Sequence, residues 1–449
     1  MLKLNLSAKA ALLNLIASTH GYRACWSERN AANFDQIMDL IIAAATRSVE
    51  PPRDPKYGDV WAVVDPQTDN EVAFRVCVGF RTLLTLLDVL SKEERDLMPE
   101  RPVWYSLVLT SDPAYQALIP DFDRLFIPKP QHVNLLIEVL MAVNEPGYGR
   151  GYYGFGDSGV GKTSTASWLF AVLGYAVISF NCKANMEVEE LFIRVLPTPH
   201  VDAPEKEVKG GAAAQALNRL AAATEKNNWS QSYGPLLEAV LHNVPFVVDE
   251  LDLAPPELLP AINNLLERRN FAVAGFKDRF VRAGSGFKFF AFGNTGFLGD
   301  LSGNYQGRSS FDASFADRLY IDCYEDLKKE DYLKIINRNF DGTRLTREIK
   351  ECFASFAAML VASKNEGKLQ QSLSPRALTA LIRLYLSNAD YYKYPLMYAL
   401  GVTMGCLIDP ACRETVFNVF TLSFAPLEIQ SSCDVMYAER DALLQSDAA

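Results

Sequence analysis

Gly156-Asp157-Ser158-Gly159-Val160-Gly161-Lys162-Thr163 is the stretch on which the reading of this chain turns. It follows a short apolar run, Tyr152–Phe155, and opens a run with helical character from Ser164 to Leu173. Its glycines let backbone N–H groups turn inward around an anion, and the following helix adds the positive end of its dipole. In that context the pattern G-x-x-x-x-G-K-[ST] is a phosphate-binding loop. The Lys162 ammonium would reach the β- and γ-phosphates, and the Thr163 hydroxyl would ligate Mg²⁺. Gly156, Asp157, Ser158, Gly159, Val160, Gly161 and Ser164 would complete the cradle. The expected ligands are therefore ATP and Mg²⁺.

Around this loop, from about residue 121, short apolar runs alternate with helical stretches, the signature of a parallel α/β sheet. The expected strands are Tyr152–Phe155, Ala176–Phe180, Phe246–Val248, Phe287–Phe292 and Leu319–Cys323. Each is short and apolar, as strands covered on both faces are. The third ends in Asp249-Glu250, where Asp249 would hold Mg²⁺ and Glu250 would orient the attacking water. The fourth runs into Asn294, an amide that would hold that water between Glu250 and the γ-phosphate. Arg318 precedes the last strand and would reach a neighbouring subunit's γ-phosphate, while Arg376 would fold onto the nucleotide from its own chain.

The flanks divide the chain further. Residues 1–120 read as an α+β domain with no catalytic constellation. Helices are expected over Ser7–Ala17, from Ser27 to about Ala45 and over Leu83–Leu97. A hairpin is expected from Val60–Val64 and Val72–Cys77, and a strand over Val103–Leu109. Residues 121–324 form the expected α/β core. It holds a long polar stretch at about 183–233, with a helix-like segment Ala212–Glu225, and a hairpin at about 271–287. From Glu325 the chain turns helical, giving a lid at 325–395 and a tail at 396–449. The expected helices are Glu325–Asn337, Thr346–Lys364, Pro375–Asn388, Leu396–Ile408 and a run near Thr415–Leu422. Ser374-Pro375 supplies an N-cap followed by proline at the first helical position.

With these residues in hand, the chain resembles the MoxR-like branch of the AAA+ ATPases, and within it the ATPase subunit of aerobic cobaltochelatase. The likeness covers about residues 122–385. It is carried by Gly293-Asn294-Thr295-Gly296-Phe297-Leu298-Gly299-Asp300-Leu301-Ser302-Gly303-Asn304-Tyr305-Gln306-Gly307, by Asp249-Glu250-Leu251-Asp252-Leu253-Ala254-Pro255-Pro256-Glu257 and by Leu373-Ser374-Pro375-Arg376-Ala377-Leu378. The resemblance implies an α/β AAA+ P-loop core with a parallel sheet and a helical lid, to which an additional N-terminal α+β domain is joined. It also implies a homo-hexameric ring acting on a protein substrate or a von Willebrand A-type partner. Insertions of this branch are thought to face the ring pore or engage partners, which makes Phe276 and Lys277 at the hairpin turn candidates for such contacts. Two departures stand out. Residues 1–120 match nothing in the chelatase subunits, and Arg308-Ser309-Ser310 stands where those proteins have threonine-glutamine. Either Arg308 or Arg318 could then act on the neighbour.

Composition narrows the alternatives. A net charge of −10 argues against a broad electrostatic grip on nucleic acid, so a restriction-type nucleic-acid motor is the weaker reading. The eight cysteines are scattered, no two at CxxC spacing, and only four histidines are present, so reduced core thiols are expected rather than zinc. The first twenty residues carry Lys3 and Lys9 without a clean apolar segment, so no signal peptide is expected. The longest apolar stretch, Tyr394–Ile408, is shorter than the roughly 20 residues a membrane span needs. A cytoplasmic ATPase with no membrane contact is expected, coupled to partner remodelling or, as the alternative, to cobalt chelation.

Overall fold

Alternation of apolar strands with amphipathic helices is resolved here into a parallel sheet that carries the glycine loop at the tip of an inner strand. The computed structural model describes residues 6–19, 46–48, 51–64, 71–107, 117–142, 150–197, 229–268, 270–272, 280–297, 299, 307–308, 310–369, 372–404 and 410–427. The N-terminal part contains α1 (Leu6–Thr19), β1 (Thr46–Ser48), β2 (Val60–Val64), β3 (Glu71–Gly79), α2 (Phe80–Leu87), α3 (Lys92–Leu97) and β4 (Pro102–Leu107). Its four strands form a sheet in the order β1-β2-β3-β4, with β2, β3 and β4 antiparallel and β1 parallel to β2.

The single helix expected over Leu83–Leu97 is two. Asp88 takes the left-handed conformation (φ 52°) and closes α2, and Ser91 and Glu94 form a reciprocal capping box that starts α3. The expected helix from Ser27 to Ala45 lies outside the described residues, as do Ala212–Glu225 and the hairpin-turn residues Phe276 and Lys277.

The core begins with α4 (Pro130–Met141) and β5 (Gly151–Gly156), then α5 (Lys162–Leu173) and β6 (Ile178–Asn181). The polar stretch after β6 opens and closes as an antiparallel ladder, β7 (Ile193–Pro197) against β8 (Trp229–Tyr233). Next come α6 (Pro235–Leu241), β9 (Phe246–Asp249), α7 (Leu258–Arg268), the antiparallel pair β10 (Asn270–Ala272) and β11 (Phe280–Arg282), and β12 (Phe289–Gly293). A one-turn helix, α8 (Ala313–Ala316), leads into β13 (Leu319–Tyr324).

All five expected core strands meet in one parallel sheet, in the order β13-β5-β12-β9-β6. The chain thus adopts an α/β AAA+ P-loop fold with its glycine loop at the tip of β5, between β13 and β12. The fourth strand starts later than its apolar run because Phe287 is held in a turn, its N–H donating to Asn243 Oδ1 at 2.9 Å and Gly284 O at 3.1 Å.

Beyond β13 lie α9 (Lys329–Asn339), α10 (Arg347–Asn365), α11 (Pro375–Asn388), α12 (Pro395–Thr403) and α13 (Pro410–Phe424). Ser374 caps α11 by accepting from Ala377 N, as its Ser-Pro signal predicts. Helices α9 to α13 share one apolar cluster running from Tyr332 to Phe424, so the expected boundary between lid and tail at 395/396 falls inside it.

A second, larger cluster joins the N-terminal sheet to the α/β core. It includes Trp61, Val76, Trp104, Leu136, Trp168, Phe246 and Phe290, so the expected boundary at 120/121 also crosses packed side chains. Three polar contacts reinforce this seam. Arg75 lies 4.0 Å from the ring centre of Tyr175, Val177 N donates to Leu118 O at 3.0 Å, and Asn243 Nδ2 donates to Val64 O at 2.9 Å.

Asn243 is fully buried and spends its amide on both sides of the seam, at Val64 O and Phe287 N. Removing the amide takes the Asn243 donor from Val64 O, while Phe287 N keeps its bond to Gly284 O, a loss of about 1–3 kcal/mol. Asn243→Ala is expected to lower the thermal unfolding midpoint by several degrees, measured by circular dichroism.

Candidate active site

The loop between β5 and α5 borders a cleft of about 890 Å³. Ser158 to Thr165 form one wall, and Asp249, Glu250 and Asn294 stand at the strand tips. Phe126 to His132 and α3 residues Glu94 and Leu97 form a second wall, and Arg376 and Arg383 of α11 reach it from the lid. Gly159 has φ +87°, and a Cβ there would sit 2.6 Å from Cβ of Ser374, so the loop lies directly under the start of α11.

Lys162 is 7% exposed, a buried cation surrounded by acceptors. Its ammonium donates to Gly156 O at 2.7 Å, Asp157 O at 2.8 Å and Asn294 Oδ1 at 2.9 Å. Burial pushes its pKa down to about 8, while the nearby carboxylates of Asp249, Glu250 and Asp252 pull the other way. Thr163 Oγ1 donates to Asp249 Oδ2 at 2.9 Å, so the two expected metal ligands are adjacent.

Glu250 sits one residue past the strand end in the left-handed region, φ 57° and ψ 36°. Its carboxylate faces the end of β12, where Asn294 Nδ2 lies 3.3 Å from both oxygens. Lys162, Asn294 and Glu250 are therefore linked by direct contacts, although they come from three different strand ends.

Two further residues complete this cluster: Asp252, given no role from the sequence, and Arg308, weighed there as an arginine for the neighbour but engaged here with acids of its own chain. Asp252 is fully buried, and its Oδ2 accepts from Asn294 N, Thr295 N and Thr295 Oγ1, each at 2.9 Å. Arg308 pairs with both Asp252 and Glu250. Burial disfavours the Arg308 charge, but the two carboxylates outweigh it and raise its pKa above the usual arginine value. The same acids add to burial in pushing Cys182 up to about 12, which keeps it a neutral thiol.

Not every expected residue converges. Arg318 lies outside its own chain's cleft, bonded to Glu267 at 3.0 Å and to Ser314 O. Arg376 borders the cleft on its exposed lid side. Lys364 of α10 pairs with Asp157 in the glycine loop, a tie between lid and loop that no motif announced. Its burial lowers the lysine pKa.

Residues 155–319 match the family model of the AAA domain, dynein-related subfamily. That stretch of the core is similar to an AAA domain. Its class of chemistry is that of an ATP hydrolase, and the domain implies nucleotide binding in the cleft just described. An uncharacterized protein of Staphylococcus saprophyticus is 26% identical over 219 residues, 46% of this chain and 73% of that protein. An uncharacterized protein of Staphylococcus aureus strain USA300 is 25% identical over 215 residues, with the same coverage. A solved structure of a candidate ATPase from Cytophaga hutchinsonii overlaps 68% of this chain and 91% of its own, with TM-score 0.32 and 13% identity. Among the described residues, no helix is long and apolar enough to cross a membrane.

Gly293 stands where the core leaves no room for a side chain. A Cβ there would meet Tyr153 Oη at 2.2 Å and Asp252 Cγ at 2.9 Å. Gly293→Ala is expected to push Asn294 away from Glu250 and reduce turnover about 100-fold, the cost of roughly 1 Å of misplacement. Binding of a fluorescent ATP analogue should fall far less than phosphate release.

Proposed function

We propose that this chain hydrolyses ATP by attack of a water molecule on the γ-phosphate and uses the energy to remodel or load a partner protein, as a homo-hexameric ring. The observation that carries this reading is the continuous contact from Lys162 through Asn294 to Glu250, beside the Thr163–Asp249 pair. The residues present suit the expected ligands. Thr163 and Asp249 offer adjacent hard oxygen donors, as Mg²⁺ requires. The glycine loop and the Lys162 ammonium offer donors to phosphate. Bound there, Mg²⁺ would neutralise charge on the phosphate oxygens.

Glu250 would orient the water and accept its proton, and Asn294, held 3.3 Å away, would fix the water's position. Lys162 would balance the charge that develops on the γ-phosphate, and Arg376 would close over the nucleotide from the lid. Arg318, on the surface outside its own cleft, is the arginine suited to complete a neighbour's site. A ring built this way would shut off each subunit until it has a neighbour.

The partner reading rests on the MoxR-like resemblance and the long insertion after β6, with a von Willebrand A-type protein as the expected companion. The alternative is the ATPase subunit of a cobalt chelatase, favoured by the stretch from Gly293 to Gly307. Co-purification with a large chelatase subunit would select that reading.

Glu250→Gln is expected to bind ATP normally while steady-state phosphate release falls about 100-fold or more, the usual loss of a general base. Capture on this variant should retain the partner, and wild-type turnover would overturn the assignment. Lys162→Ala should abolish nucleotide binding. Arg318→Ala should be inactive alone but regain partial turnover when mixed with Lys162→Ala subunits; no recovery would argue against action across subunits.

A further inference from the structure

The carboxylate that the hydrolytic reading assigns to water is already engaged. Glu250 Oε2 is paired with Arg308 Nη1, and both Glu250 oxygens face Asn294 Nδ2 at 3.3 Å. The same guanidinium nitrogen reaches Oδ1 of Asp252, whose other oxygen fixes the backbone of Asn294 and Thr295. The Arg308 side chain is only 9% exposed and that of Glu250 30%, so water screens the arginine end of this pair poorly. While this pair stands, the Glu250 carboxylate is held toward Arg308 and Asn294 and is not free to turn to a water.

We infer that Arg308 is an intramolecular brake on ATP hydrolysis: it holds Glu250 against Asp252, and turnover waits for the arginine to let go. This rests on Glu250 being the water-activating residue, as proposed above. Backbone geometry fits the assignment, because Glu250 keeps a left-handed conformation that non-glycine residues hold only when their surroundings enforce it.

The position of Arg308 supplies a route to release. It lies in the segment between β12 and helix α8, and α8 is followed within two residues by Arg318. Contact of Arg318 with a nucleotide on a second copy of this chain would pull on the segment that carries the brake. Assembly would then both complete the neighbour's site and free Glu250 in the subunit that donates the arginine.

The test compares wild type with Arg308→Ala, Arg308→Gln and Glu250→Gln, and with Arg308→Ala combined with Glu250→Gln. Steady-state ATPase and nucleotide affinity are measured with Mg·ATP at one protein concentration. Arg308→Ala is expected to raise kcat at least threefold with KM changed less than twofold, and the double variant should be as slow as Glu250→Gln alone. Damage to the fold cannot produce that gain. Removing the cation leaves Asp252 buried without its partner, so Arg308→Gln, which keeps a donor for Asp252, decides the matter if the alanine variant does not fold. An unchanged or lower kcat in the folded variant, with Glu250→Gln inactive, overturns the brake and leaves the hydrolytic assignment standing. Normal turnover by Glu250→Gln overturns both.

Discussion

Asp252 has no exposure to solvent, and its charge governs how two strand ends are held together. A buried carboxylate is tolerated only when its lone pairs are filled. Here Oδ2 takes two backbone N–H groups and a hydroxyl from the end of β12, and Oδ1 takes Arg308. The acid can approach β12 this closely because Gly293 has no Cβ, and Tyr153 donates to Thr295 O at 2.6 Å from the other side. The position of Asn294 is therefore set by side chains from β5 and from just past the end of β9 before any ligand is considered.

Lys162 poses the opposite problem. Its ammonium is buried, and burial alone would strip its proton more readily than at the surface. The carboxylates of Asp249, Glu250 and Asp252 offset part of that cost, and two loop carbonyls and Asn294 receive its hydrogens. Acids on one strand end thus help to keep the cation on the neighbouring loop charged. The same balance makes the cluster sensitive to any added charge, which is why the guanidinium of Arg308 matters more than a surface arginine would.

Much of this was legible in the chain. Each of the five core strands is an apolar run bounded by polar or glycine residues, so its existence follows from local pattern even where its start shifts by two residues. The glycine loop, Asp249, Glu250 and Asn294 carry their chemistry at recognisable spacings. Asp252 and Arg308 do not. An acid three residues past a strand end reads as solvated, and its burial depends on Gly293 and Arg308, which lie more than forty residues further on. The break at Asp88 is different, because Ser91 and Glu94 announce a new helix within four residues. The tie between Lys364 and Asp157 has no local signal at all.

The N-terminal sheet is bound into this arrangement from two directions. Its apolar face is continuous with that of the α/β core, which fixes β4 against α4 and α5. Its helix α3 borders the cleft, and Glu94 there accepts from Arg338 of the lid at 3.0 and 3.2 Å. Arg338 also donates to Val89 O and to Arg124 O, so one lid side chain spans the N-terminal part and the segment leading into the core. On the other side of the lid, Lys364 holds the glycine loop through Asp157. A lid that moved relative to the loop would have to break or carry both ties. Because Glu94 also caps α3, a shift at Arg338 would be felt at the start of that helix. Residues of the N-terminal part are in this way mechanically linked to the nucleotide cleft, although none of its described residues is a catalytic group there.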